Sequence, residues 1–326
     1  MTKEREAKVK KRGPMIGSAA GKLILSGEHA VVYGQPAVAI GLPSGLSAQL
    51  TLNTSASSSP LMISSASLTT ALGDDERHAL KRALTCAVRW MAEQGYPLND
   101  HYILSLSGSL PFKVGMGSSA ALSVATLRAL ARACDHGHWS DEQLYQGAME
   151  MEKVFHAHPS GLDHFVAIHG GALKYQRTNS EPLHQSIRVG APLTLALTWF
   201  PRQGSTSDVV QSVAQRRTQD SKRYEILFKE IGIIAHEIER LLPLGSIGEI
   251  GSLLDQNHRL LQEIRVSTHA LDETCEYLRS RGALGAKLSG AGHGGVCFAL
   301  FPEEEMAAQA LDQLATPHWL ITVPAT

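Results

Sequence analysis

Residues Pro111–Leu122 read P-F-K-V-G-M-G-S-S-A-A-L, a glycine-rich turn running without a break into a small-residue helix start. The first N–H groups of a helix have no intrahelical partner and carry the positive end of the helix dipole. Such a turn is therefore suited to hold an anion, phosphate above all. Gly115 and Gly117 let the backbone come close to a ligand. The turn is not a Walker A sequence, because no Gly-Lys-Ser/Thr follows, and it lacks the third glycine of the dinucleotide fingerprint. The same residues also make an ordinary helix cap, so the turn acquires meaning only beside two other segments. These are G-K-L-I-L-S-G-E-H-A-V-V-Y-G-Q-P-A at Gly21–Ala37 and K-L-S-G-A-G-H-G-G at Lys287–Gly295. Phosphoryl transfer needs a phosphate cradle, a cation held by oxygen ligands and a group that positions or deprotonates the nucleophile. The chain offers residue types for all three.

The elements that must carry these segments can be read from periodicity. Met15–Leu25 predicts a strand, and V-V-Y and A-V-A-I within Ala30–Ile40 flank the turn residues Gly34-Gln35-Pro36. Gln49–Leu52 alternates briefly, and the Ser-rich stretch Ser55–Thr70 reads as an exposed loop or hairpin tip. Leu80, Leu84, Ala87, Val88 and Met91 recur at helical spacing up to Gly95, and Tyr102, Leu104 and Leu106 alternate as a strand leading to the Gly/Ser turn. The helix after the turn places Ala120, Val124, Leu127 and Ala131 on one side. Ser140 opens another, with Asp141 and Glu142 in its first turn. Beyond a β-like run at Pro192–Phe200, a long helix steps through Tyr224, Leu227, Ile231, Ile234, Ile238 and Leu241 until Pro243. Further helices are predicted over Ile247–Leu261, Leu271–Leu278 and Glu303–Leu314. Strands are predicted at Gly285–Leu288, Val296–Phe301 and Trp319–Val323. Strands and helices interleave without the regular alternation of a doubly wound sheet, which predicts an α+β fold. The length implies two domains: a basic tail over 1–14, an N-terminal domain over 15–185 and a C-terminal domain over 186–326, divided in the polar stretch Glu181–Gly190.

Composition narrows the class. With 30 basic and 31 acidic residues the net charge is −1, which gives no electrostatic reason to expect nucleic acid or an anionic membrane as a partner. The basic tail also carries Glu4 and Glu6 and precedes no apolar run, so it does not read as a signal peptide. Cys86, Cys134, Cys275 and Cys297 form no C-x-x-C pair, which predicts reduced thiols and a cytoplasmic protein. His156, His158, His164 and His169 have neither a cysteine partner nor H-E-x-x-H spacing, which argues against zinc.

The three motifs, in this order, resemble those of the GHMP small-molecule kinases over about Ala19 to Leu300, and the pattern is most similar to the mevalonate kinase branch. G-E-H-A-V-V-Y-G-Q-P-A, H-A-H-P-S-G-L-D-H-F-V-A-I-H-G-G-A-L and the Asn257–Cys275 run carry that finer likeness. The resemblance implies a two-domain fold with an active-site cleft, ATP and Mg²⁺ as cofactors, and transfer of the γ-phosphoryl group to the 5-hydroxyl of mevalonate. It makes Asp163 the catalytic base or orienting group and Lys22 the cation for the incipient alkoxide. Ser119 and Glu152 become the metal ligands, Glu152 being chosen over Glu150 because it lies eleven positions before Asp163. Nucleotide contacts fall on Pro111, Lys113, Gly115, Gly117, Ser118, Ser119, Ala120, Gly290 and Gly292. Glu28, His29, Ser160, Thr206, Gly290 and Ala291 are implied to line the acceptor site, with His29 as a donor to the substrate carboxylate.

Several residues depart from the family pattern. Lys113 and Val114 stand where small residues are usual, His293 replaces a glycine, His164 an asparagine and Arg265 a glycine. A non-glycine residue at the His293 position would be strained if positive φ is required there. Other kinases of the superfamily, such as a phosphomevalonate kinase, and a non-catalytic metabolite sensor on the same fold remain alternatives. Homodimerisation, common among similar kinases, is left open.

Overall fold

The computed structural model describes residues 15–53, 60–64, 74–108, 114–134, 138–155, 161–178 and 181–326. Two compact units emerge, and neither is one contiguous stretch. The first gathers the chain up to Ala19, Gly45–Leu110 and Ser119–Ile168; the second gathers Ala20–Ser44, Pro111–Ser118 and His169–Thr326.

Strand β1 (Met15–Ser26) pairs with β2 (Pro36–Leu52). In the first unit the later half of β2 runs antiparallel to β4 (Tyr102–Gly108), from Leu46 opposite Gly108 to Leu52 opposite Tyr102. A short β3 (Leu61–Ile63), inside the Ser-rich stretch expected to be loop, lies parallel to β4. Helices α1 (Asp74–Glu93), α2 (Ser118–Ala133), α3 (Asp141–Glu152) and α4 (Leu162–His169) complete this part of the chain. The residues of α2 from Ala120 to Leu127 are all buried, which explains its small side chains: a helix enclosed on every side has no room for a polar face. Helix α3 starts as expected, Ser140 and Gln143 forming a reciprocal capping box.

In the second unit the first half of β2 pairs antiparallel with β5 (Ala172–Gln176), and β5 with β6 (Leu183–Ile187). The polar stretch read as a linker thus forms an edge strand, exposed along most of its length. V-V-Y, taken for strand, is a 3₁₀ turn (Ala30–Tyr33) closed by Gly34 at φ 81°. A second, antiparallel sheet has the order β10-β7-β9-β8, built from β7 (Leu193–Phe200), β8 (Gly285–Ser289), β9 (Gly295–Phe301) and β10 (His318–Val323). Around it lie α5 (Thr206–Gln219), α6 (Ser221–Leu241), α7 (Ile247–Glu263), α8 (His269–Ser280) and α9 (Glu304–Leu311). The apolar stripe predicted for α6 is buried as read, and Phe228 on it stacks on Tyr33 at 4.6 Å between ring centroids. All five residues of β8 are buried, Lys287 included. The four cysteines are free thiols, with Cys275 and Cys297 enclosed in the core. Among the described residues no helix is long and apolar enough to cross a membrane.

Candidate active site

Parts of all three motifs meet within the second unit. Lys22 sits on β1, only 5% exposed, and its backbone N–H donates to the Met116 carbonyl at 2.9 Å. Gly117, at φ 72°, lies so near that a Cβ there would come within 3.2 Å of Lys22 Cγ. Close approach and left-handed backbone both require glycine at this point. The third motif is bound to the first, since Ile24 N–H donates to Ser289 Oγ at 2.9 Å. Gly290 faces the Gly115–Gly117 turn across a gap: among the described residues, the only neighbour a Cβ on Gly290 would find within 4 Å is the Gly115 carbonyl, at 3.8 Å. The result is a cradle walled by backbone, the kind of surface a polyphosphate can approach.

Glu28 and His29 are buried at the end of this arrangement. Glu28 accepts a hydrogen bond from the fully buried Lys287 ammonium, which also donates to the Ile24 carbonyl at 3.2 Å and lies 5.4 Å from the Phe298 ring centroid. Burial pushes the Glu28 carboxyl up and the Lys287 ammonium down, and each partner opposes the other's shift; the Lys22 charge also favours ionised Glu28. The second carboxylate oxygen of Glu28 is buried with no hydrogen-bond partner among the described residues.

His29 holds φ 60°, and its Nε2 lies 2.9 Å from the Ala291 carbonyl. A carbonyl only accepts, so Nε2 carries the hydrogen. Burial lowers the imidazole pKa to about 4, with the Arg216 and His293 charges adding to the shift. At neutral pH the ring therefore presents Nδ1 as an acceptor, which differs from the donor role expected for His29.

Arg202 was not foreseen. Its Nη1 donates to Thr206 Oγ1 at 2.7 Å, and its Nη2 would stand 3.0 Å from a Cβ on either Gly115 or Gly295. Its Nε is buried without a hydrogen-bond partner among the described residues. Ser205 and Asp208 form a capping box that starts α5 at Thr206, the residue Arg202 contacts. Two departures from the family pattern turn out to be one feature. His293 (φ 53°) and Arg265 (φ 60°) both adopt left-handed backbone, the His293 N–H donates to the Val266 carbonyl at 2.8 Å, and its Nε2 lies 3.2 Å from the Arg265 carbonyl.

The first unit holds the remaining candidates. Ser119, in the first turn of α2, donates through Oγ to Glu152 Oε1 at 3.0 Å, joining two residues 33 positions apart. His164 Nε2 lies 3.4 Å from the other oxygen of Glu152, and both side chains are buried. One hydroxyl and one carboxylate at hydrogen-bond distance are hard oxygen donors. They suit a cation that keeps most of its waters, as Mg²⁺ does. Asp163 is half-buried in the first turn of α4, where the helix N-terminus favours its charge. Ala120 is a buried residue of α2. Pro111, Lys113 and Ser160 lie outside the described residues.

Glycine-lined loops beside a lysine, and a hydroxyl–carboxylate pair at a helix start, fit the requirements of small-molecule phosphoryl transfer. Residues 80–171 match the N-terminal domain of the GHMP kinases and residues 234–318 their C-terminal domain. The chain belongs to the GHMP kinases. Among its relatives, the mevalonate kinase of Aeropyrum pernix is 33% identical over 295 residues, covering 89% of each chain. The crystal structure of L. major mevalonate kinase in complex with R-mevalonate superposes with a TM-score of 0.83 at 27% identity, covering 96% of each chain. The Methanococcus jannaschii mevalonate kinase shares the fold, with a TM-score of 0.78 at 22% identity over 97% of this chain and 100% of that one.

Proposed function

We propose that this protein transfers the γ-phosphoryl group of ATP to the 5-hydroxyl of mevalonate, with Mg²⁺ as the metal. The observation that carries the reading is the joining of Lys22, the Gly115–Gly117 turn and the Gly290–Gly292 turn, together with nearly full-length similarity to mevalonate kinases. Backbone N–H groups of the turn and of the α2 start bind the phosphates, with Ser118 and Ala120 in the first turn. Ser119 and Glu152 would hold the metal, which would supply charge neutralisation for the transferring group.

The chain's own residues then manage the alcohol. Asp163 orients the 5-hydroxyl and takes its proton as the new O–P bond forms and the bond to the leaving ADP oxygen breaks. Lys22 stabilises the oxygen as that proton leaves. Phosphoryl transfer proceeds through a loose transition state, so positioning of the hydroxyl with late proton transfer suffices. Glu28, His29, Ala291 and Thr206 line the acceptor side. The charge balance and thiol usage of the chain support a cytoplasmic enzyme acting on small molecules. The test is ADP release with mevalonate as sole acceptor, run beside phosphomevalonate, homoserine and galactose. Turnover confined to one of the other three would assign the chain a different acceptor.

A further inference from the structure

Lys287 is a fully buried cation with no place in the reaction just described, and its surroundings show what it holds. It extends from β8, whose backbone is fixed on one side by β9, with Lys287 opposite Phe298. Its ammonium reaches the Ile24 carbonyl of β1 and the Glu28 carboxylate, crossing 259 positions of sequence to do so. Glu28 stands between two residues with positive φ, Gly27 at 114° and His29 at 60°. A Cβ on Gly27 would come within 2.3 Å of Ala37 Cβ, so the loop is tightly enclosed as well as left-handed. Non-glycine left-handed backbone persists only where its surroundings enforce it. Among the described residues, the third motif restrains Glu28 and His29 through the Lys287 ion pair and the His29 contact to the Ala291 carbonyl.

Resting on the assignment of Glu28 and His29 to the acceptor side, we infer that Lys287 is a positioning residue: it acts through Glu28 to set the acceptor-binding loop Gly27–His29. It touches neither nucleotide nor alcohol. Its effect falls on the acceptor, because the nucleotide turn at Gly115–Gly117 is held separately, by the backbone bond from Lys22 to Met116. The pair also explains why a lysine is tolerated at a site with no exposure: a single buried charge is severely destabilising, whereas a hydrogen-bonded pair is not.

Lys287→Met, Glu28→Gln and the double variant form a cycle that tests this. Lys287→Met is expected to lower kcat/KM for mevalonate about 100-fold, mainly through the acceptor KM, with KM for ATP within about twofold of the parent. The double variant should be no worse than the poorer single, because both changes break one connection. Its thermal stability should exceed that of Lys287→Met, since it buries no unpaired carboxylate. Multiplying effects, an unchanged acceptor KM or equal damage to both KM values would overturn the inference. If Lys287→Met does not fold, the double variant is compared with Glu28→Gln alone; equality supports the inference, and a further tenfold loss overturns it. The His29 imidazole NMR resonances give a readout independent of the acceptor. They should shift in Lys287→Met, or in the double variant if that must stand in, even if the parent proves inactive on mevalonate, and unshifted resonances count against the inference.

Discussion

The two units hold their candidate residues in opposite ways. In the first, Ser119, Glu152 and Asp163 project from regular helices, and each stands where its helix puts it. In the second, Lys22, Glu28, His29 and the glycines belong to a strand and loops held by long-range contacts, left-handed residues and a buried ion pair. A side chain on a helix can be changed without moving its neighbours, because backbone hydrogen bonds fix the helix. A loop residue that is itself a tie cannot. Substitutions in the first unit should therefore separate activity from stability, and those in the second should alter both.

The sharpest form of that contrast is Asp163→Asn. Turnover should fall about 10³-fold, within the range attributed to a positioned acid or base, while nucleotide affinity and melting temperature stay close to the parent. Fluorescent-nucleotide titration beside steady-state rates checks this; a melting temperature that falls with the rate would place Asp163 among the structural ties. Next in size is Glu152→Gln, which keeps an acceptor for Ser119 and removes the charge. The Mg²⁺ concentration for half-maximal rate should rise about tenfold or more, with the rate at saturating Mg²⁺ recovering in part. A Mg²⁺ titration insensitive to the change would remove Glu152 from the metal site.

The same contrast explains what could be read beforehand. The helix starts were legible from local pattern, Ser119 standing where the Gly/Ser turn runs into a helix, whereas the choice of Glu152 over Glu150 came from the family resemblance, whose glutamate lies eleven positions before the catalytic aspartate. One hydrogen bond joins the two side chains. The loop chemistry was legible only as motif. Nothing local to Lys287 announces a partner 259 positions away, and a lysine in a strand reads as an edge residue. Arg202 was hidden for the same reason, since its neighbours Gly115 and Gly295 are remote in sequence. His293 was flagged as strained, and it is left-handed; its coupling to Arg265 depends on tertiary contact. Among the elements, β3 and β6 escaped because short strands in polar surroundings carry too little alternation, and V-V-Y misled because β-branched residues outweighed the nearby Gly34 stop.

In the loop-built region, His29 offers a test by pH. Its folded pKa of about 4 lies below the ordinary value of 6.5, so the unfolded chain binds the proton first as pH falls. The contribution is complete above pH 6.5, is lost progressively between 6.5 and 4, and changes no further below that. It amounts to about 3 kcal/mol. Subtracting the stability–pH curve of His29→Gln from that of the parent should isolate this window; parallel curves would mean that the ring is not held neutral. A smaller effect is expected from His293→Gly.

That last substitution has the smallest effect and the most particular sign. Left-handed backbone at a non-glycine residue costs about 1–2 kcal/mol, and glycine removes the penalty. Against this stands the ring contact from Nε2 to the Arg265 carbonyl at 3.2 Å, solvent-exposed and worth about 0.5–1 kcal/mol. The backbone bond from His293 to Val266 survives the change. The net expectation is a gain of up to about 1 kcal/mol in chemical denaturation with kcat/KM unaltered. A loss of stability would mean that the imidazole ties the third motif to Arg265 more strongly than backbone strain opposes it. His293, where the family ordinarily has glycine, would then join Lys287 as a tie made by a side chain.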